Sequence, residues 1–183
     1  YIPLNQQRYV ILESVLKNLP STFEKICEQF NLTCLVKDAA KTDFEDGSVD
    51  LITSNNTFEH VYPTALKNIL KEFFRIQKAG GIQSHFIDMT DHFAHFDKSI
   101  SVYHFLRFSH SKWKWIDNSV QPMNRFRFSD YLKIYTELSI PVSEKILRDG
   151  NLKELKQQKI SVHFQKYSPK DLAITHARIV TVK

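Results

Sequence analysis

The chain has 183 residues, 42% of them apolar and 25% charged, enough for one domain with a sizeable core and unlike a disordered or repetitive composition. No apolar run approaches the roughly 18–20 residues of a membrane span, and YIPLNQQRYV at the start has neither a basic nor an apolar leader region, so no membrane partner is expected; two cysteines imply no disulfide framework, and a reducing cytoplasm is the expected compartment. A net charge of +5 raises nucleic acid or an acidic substrate as partners; the competing reading is solvated lysine faces, and Lys153, Lys156 and Lys159 recur at helical spacing as on an exposed face.

Taken in order, Asn5 can cap a helix with Leu12, Val15, Leu16 and Leu19 on one face, stopped by Pro20. Ser21 and Glu24 form a capping-box pattern before Phe23, Ile26, Cys27 and Phe30. Leu32 to Lys37 reads as a short, β-rich strand. The two cysteines, Cys27 and Cys34, are too few for a disulfide framework. Glu45-Asp46-Gly47-Ser48 reads as a turn and Val49 to Thr53 as a buried strand. Pro63 suits a first helical turn, Leu66, Ile69, Leu70, Phe73 and Phe74 make an apolar stripe, and Gly80 stands where a helix C′ residue would. Ile82 to Met89 is the next strand, completing one βαβ unit. In open α/β sheets ligands sit beyond the carboxyl ends of the strands, which singles out Ser54 to His60 and Asp88 to His95.

Between Asp91 and Gln121 aromatic residues interleave with histidine and lysine, either a base-stacking surface or an insertion whose aromatics fill a subsidiary core. Ser99 and Ser129 are candidate caps, the latter for a helix over 130–138. Pro141 to Arg148 reads as a strand, Leu152 to Gln158 as a short exposed helix or loop, 159–164 as strand or loop, and Leu172 to Val182 as the last strand.

DFEDGSVDLITSNNTFEHV, KEFFRIQKAGG and NRFRFSDYLKIY resemble class I S-adenosylmethionine-dependent methyltransferases of the type 11 group, over about Leu32 to Lys183. The resemblance implies an α/β fold, a Rossmann-like methyltransferase three-layer sandwich with a mostly parallel sheet and one antiparallel strand. Strands Val49–Thr53, Ile82–Met89, Leu172–Val182 and Pro141–Arg148 would lie side by side in that order, in one domain over 1–183 with about 91–128 a substrate-covering insertion. The family opens on a strand and a glycine-rich turn; here the glycines are Gly47, Gly80, Gly81 and Gly150 and none forms such a turn. With no initiator methionine either, an N-terminally truncated domain is expected. It would bind S-adenosylmethionine weakly and self-associate through an exposed sheet edge.

The resemblance puts Asp38 and Ala39 beside the adenine, Ser54 and Asn55 beside the methionine part, and Asn56, Glu59 and His60 on the same pocket. Methyl transfer needs in-line positioning and, for oxygen or nitrogen acceptors, proton removal. His60, Asp88 and His92 are the candidate bases. The alternative is that Glu59 and His60 cap the next helix and orient the loop. His85, Asp88, Asp91, His92, His95 and Asp97 also offer metal-binding chemistry, but His85 and Asp88 would face opposite sides of a strand, leaving only Asp88, Asp91, His92 and His95 free to converge. No metal is expected. Asn124-Arg125-Phe126-Arg127 before a helix start suits either an anion or surface ion pairs. The expected function is methyl transfer to a small-molecule or glycan-type acceptor. A non-catalytic binding or scaffold domain and a nucleic-acid methyltransferase are the alternatives.

Overall fold

A computed structural model describes Glu13, Ser14, Lys17 and residues 22–118 and 120–183. The helix expected after Asn5 and the capping role of Ser21 therefore lie outside the described residues. The chain divides into two compact units, Tyr1–Lys37 and Asp38–Lys183.

In the first unit, α1 (Phe23–Phe30) is capped by Thr22, whose hydroxyl accepts from the Lys25 N–H at 3.4 Å. It ends on Asn31 in the left-handed region (φ 52°), which asparagine tolerates better than most residues. The strand expected over 32–37 does not form. Leu32, Leu35 and Val36 are exposed, so β propensity there has no sheet to act on.

The second unit holds one four-stranded sheet of β1 (Val49–Asn55), β2 (Gln77–Asp88), β3 (Glu144–Arg148) and β4 (His176–Val182), in the order β1-β2-β4-β3. β1 and β2 are parallel, and β4 is antiparallel to both β2 and β3, so three strands share a direction and one opposes them. That is the expected order. Gly47, at φ +61°, makes the turn into β1. α2 (Pro63–Ile76) connects β1 to β2 with Pro63 in its first turn.

Boundaries differ where local geometry overrides pattern. α2 ends at Ile76, with Gln77 already extended, so Gly80 is not a helix C′ residue. Gly80 (φ +74°) and Gly81 instead form a bulge inside β2, where the register jumps from Val49↔Gln77 to Leu51↔Ile82. A Cβ on Gly81 would stand 3.0 Å from the Lys78 carbonyl and 3.1 Å from that of Asp50, a close approach only glycine permits. β4 starts at His176 because Pro169–Ala173 forms a short helix capped by Ser168. Residues 152–156 are helical with Leu155 buried, and 162–164 form a 3-10 turn.

Alternation along β2 sends Gln83, His85 and Ile87 to one face, paired with Ile52, Ser54, Thr181, Ile179 and Ala177. On that face Leu66 and Leu70 of α2 pack with Tyr131, Ile134 and Tyr135 of α5 (Phe128–Glu137), forming the main core with Phe58, Ile87 and Ile179. The opposite face carries exposed Leu51, Ile82, Ile146 and Val182; no helix of this unit's described residues joins these into a core. β1 is also far from buried. It is an edge strand, with Leu51 53% exposed.

The aromatic stretch after β2 folds into short pieces: α3 (Phe93–Phe96), a 3-10 turn at His104–Arg107 and α4 (His110–Ile116). Tyr103, Phe105, Leu106, Trp113 and Met123 build a second core with Leu155, Phe164 and Leu172, as a subsidiary-core reading requires. Ser109 caps α4. Ser99 caps nothing, since its N–H and hydroxyl both donate to Asp97. Nor does Ser129 cap α5, which starts one residue before it; the Ser129 hydroxyl donates to Asp171.

Candidate functional site

β1 and β2 end side by side, with Ser54 opposite His85 and Asn55 opposite Phe86. After β1 the chain turns at Asn56, which adopts φ 47° and donates its N–H to the Phe86 carbonyl at 3.0 Å. A 3-10 turn, Phe58–His60, follows. Asn124 clamps it: its side-chain amide donates to the carbonyls of Phe58 (2.8 Å) and Val61 (2.9 Å), and its N–H to that of Glu59. Short-range bonds from a distant loop thus fix where Glu59 and His60 point.

Glu59 is 2% exposed and neither carboxylate oxygen has a hydrogen-bond partner. Burial, then the nearby Asp88 charge, pushes its carboxyl up to about 7. His60 Nδ1 lies 2.8 Å from the Pro122 carbonyl, an acceptor only, so Nδ1 carries a proton and Nε2 is the ring atom left for another partner. The His60 and His92 rings are 4.9 Å apart.

Beyond β2, Asp88 Oδ1 accepts from the Thr90 N–H (2.8 Å) and hydroxyl (2.7 Å), which locks the carboxylate. Its Oδ2 faces His92 Nε2 at 3.8 Å and His95 Nε2 at 3.6 Å, while His176 Nε2 lies 3.6 Å from Oδ1. Burial depresses His92 and His176 below the ordinary imidazole range, opposed by Asp88. Asp91, also buried, accepts from the Phe93 N–H and lies 3.4 Å from His104. Glu59, His60 and His92 offer ligand-type atoms within 4.8 Å of one another, as do Asp88, His92 and His95. His92 belongs to both groups. It also lines a cavity of about 120 Å³ with Asp91, Phe93, Phe96, Trp113 and Met123.

The sequence candidates thus fall into three places. His60, Glu59, Asp88 and His92 come together. Ser54 and Asn55 line a groove with Thr53, Ser84, Phe86 and Arg178. Asp38 and Ala39 sit in a turn where the Asp38 carboxylate accepts from the Ala40 N–H at 2.9 Å, and the following Thr42 donates its N–H and hydroxyl to Glu72 on α2. Asp97 faces Ser99 instead of the cluster. Arg125 and Arg127 serve neither an anion nor a surface pair. Arg125 donates to the carbonyls of Phe105 and Phe108 and stacks on Trp113 at 4.5 Å, and buried Arg127 donates to those of Met89 (3.0 Å) and Ile174 (2.6 Å). Unlike these, Thr90 and His176 were not foreseen. An Asp-x-Thr pattern after a strand signals the first, and the second emerges only from the register, which pairs Asp88 with His176.

Residues 8–84 match the family model described as methyltransferase domain. No curated protein matches. Among solved structures, the chain is similar to a geranyl diphosphate methyltransferase in complex with GPP and sinefungin, at 14% identity and TM-score 0.53 over 87% of this chain and 56% of that one. It is similar to the 1,6-didemethyltoxoflavin-N1-methyltransferase of Burkholderia thailandensis at 8% identity and TM-score 0.53, over 90% and 57% of the two chains. A third similarity, at 17% identity and TM-score 0.51, is to phosphoethanolamine N-methyltransferase 2 of Haemonchus contortus, over 94% of this chain and 40% of that one. The chain therefore has the Rossmann-like fold of S-adenosylmethionine-dependent methyltransferases, and spans little more than half the length of the first two.

Proposed function

We propose that this chain serves S-adenosylmethionine-dependent methyl transfer to a small-molecule or glycan-type acceptor. The observation that carries the reading is the double membership of His92, which lines the cavity and also stands in the cluster of Glu59, His60 and Asp88. Phe93, Phe96, Trp113, Ile116 and Met123 give that cavity its apolar lining, and Asp91, His92, Asp117, Asn118 and Gln121 its polar lining. That mixture suits a compact acceptor that carries polar groups. A volume of about 120 Å³ holds a small ring or short chain, not a nucleotide within a polymer.

In this reading Asp38, Ala39, Ser54, Asn55, Asn56 and Glu59 hold the cofactor. The cofactor supplies an electrophilic methyl group. With its ring neutral, His60 would offer Nε2 as an acceptor, and His92, 3.8 Å from Asp88, would offer a second imidazole; either would take the acceptor proton as the bond to the methyl carbon forms and the methyl–sulfur bond breaks. The neighbours' acceptors include GPP and 1,6-didemethyltoxoflavin, both small molecules, which supports the same acceptor class here.

A scaffold role is the second reading, favoured by the lack of any glycine-rich turn in the 183 residues. Incubating the chain with millimolar S-adenosylmethionine, a pool of small hydroxyl- and amine-bearing metabolites and a separate pool of RNA and DNA distinguishes them by mass spectrometry. A small product one methyl heavier, lost in His92→Ala, is the expected result. Methylated nucleic acid would overturn the acceptor class, and no product in either pool would favour the scaffold.

A further inference from the structure

We infer that Asp88, His92 and His95 form a binding site for a divalent first-row transition-metal ion of the zinc or iron class. Asp88 and His92 also figure in the methyl-transfer reading; an ion on His92 Nε2 takes that atom out of proton removal and leaves the role to His60. Asp88-x-x-x-His92-x-x-His95 places the carboxylate at the end of β2 and the two imidazoles three residues apart around the short turn of α3, so both can face the same carboxylate oxygen.

Distances decide between an ion site and a hydrogen-bonded cluster. The contacts from Asp88 Oδ2 to His92 Nε2 (3.8 Å) and His95 Nε2 (3.6 Å) are too long for hydrogen bonds. Ligand atoms about 2.0–2.2 Å from a shared ion, at tetrahedral angles, stand roughly 3.3–3.6 Å apart. Those two distances lie within a few tenths of an ångström of that range, and all three ligand atoms lie within 4.8 Å of one another. His92 Nε2 is buried with no hydrogen-bond partner, so the atom that would bind the ion is the one left unsatisfied.

The surroundings fit as well. Asp88 is 7% exposed at its side chain, and Thr90 occupies Oδ1 with two hydrogen bonds, leaving Oδ2 for the ion in the way outer contacts orient metal ligands. His176 approaches the same carboxylate from β4 at 3.6 Å and closes that side. Two imidazoles and one carboxylate with further positions open suit zinc or iron(II), whereas calcium and magnesium prefer all-oxygen sets. His85 lies on the other face of β2, so the obstacle foreseen for a strand-based site does not touch this one. Of the three ligands, His92 also lines the cavity.

The test uses the full chain stripped with chelator. Zinc titrated calorimetrically should bind one ion per chain, and cobalt(II) should develop a visible absorption band. Asp88→Asn and His95→Ala should each weaken zinc binding by about 1000-fold, beyond the 10–100-fold typical of outer-shell changes, while His104→Ala should leave it unchanged. His95 is half exposed, so its loss spares the fold, as circular dichroism will verify. No zinc binding at excess ion, or binding that survives His95→Ala, overturns the proposal. Binding lost in Glu59→Gln but kept in His95→Ala would move the ion to Glu59, His60 and His92 and overturn it equally.

Discussion

The Ser54 hydroxyl lies 2.8 Å from Nδ1 of His85, across the β1–β2 pair. His85 Nε2 in turn meets Gln83 Oε1 at 3.0 Å, and Gln83 donates to Gln77, which donates to the Gly81 carbonyl. Because the Gln83 amide nitrogen is used toward Gln77, its oxygen accepts from His85, which fixes a neutral ring with the proton on Nε2. Ser54 then donates to Nδ1, committing its one proton to the sheet and leaving only its lone pairs for a ligand.

Burial pushes His85 down to about 4, between the rings of Phe58 and Phe73. A histidine with a depressed folded value binds its proton first in the unfolded chain. Stability should therefore hold above about pH 6.5 and fall as pH drops from there toward 4, by on the order of 3 kcal/mol in total. Urea unfolding at a series of pH values measures this. His85→Gln should flatten that part of the profile; an unchanged slope would assign the acid sensitivity to other groups.

Arg127 ties the exit of β2, at Met89, to the chain entering β4, at Ile174. Removing it leaves two buried carbonyls unpaired and a void, so Arg127→Ala should cost at least about 3 kcal/mol. Arg127→Lys should recover only part of this, since one ammonium replaces a rigid fork that reaches both carbonyls. A loss below about 1 kcal/mol in either variant would mean water replaces the guanidinium.

What could be read from the chain beforehand was whatever depends on local periodicity. The stripe of Leu66, Leu70 and Phe73 and the strands on either side gave α2 and its neighbours, and the family resemblance gave the strand order. Arg125 and Arg127 were read as exposed cations because nothing local shows that the carbonyls of Phe105, Phe108, Met89 and Ile174 end facing them. His176 joins Asp88 through strand register, a tertiary property. The β-rich run at 32–37 misled because propensity acts only where a neighbouring strand exists.

β1 has β2 on one side and no strand on the other among the described residues, and Leu51 beside that edge is 53% exposed. Free backbone groups on an apolar edge template pairing with another chain. Sedimentation should show mass rising with concentration, and Thr53→Lys on the same edge should suppress it. A monomer at every concentration would mean the edge is already covered.

S-adenosylhomocysteine should bind the 183-residue chain in the millimolar range or more weakly. In a Rossmann-like site a glycine-rich turn brings backbone N–H groups against the ligand, and an acidic strand end accepts from the ribose hydroxyls. No such turn occurs among the four glycines, and Gly80 and Gly81 are used in the β2 bulge. Asp38–Ala39 and Ser54–Asn56 could serve the adenine and part of the methionine chain, with Ser54's proton already committed to His85. Each buried polar group of the ligand left unpaired costs roughly 1–3 kcal/mol. Two or three such losses weaken binding by several orders of magnitude. Calorimetry with the ligand at millimolar concentration reads the affinity directly. A micromolar constant would show that the residues after β1 and the Asp38 turn suffice for the cofactor, and the dependence on a glycine turn would be wrong for this chain.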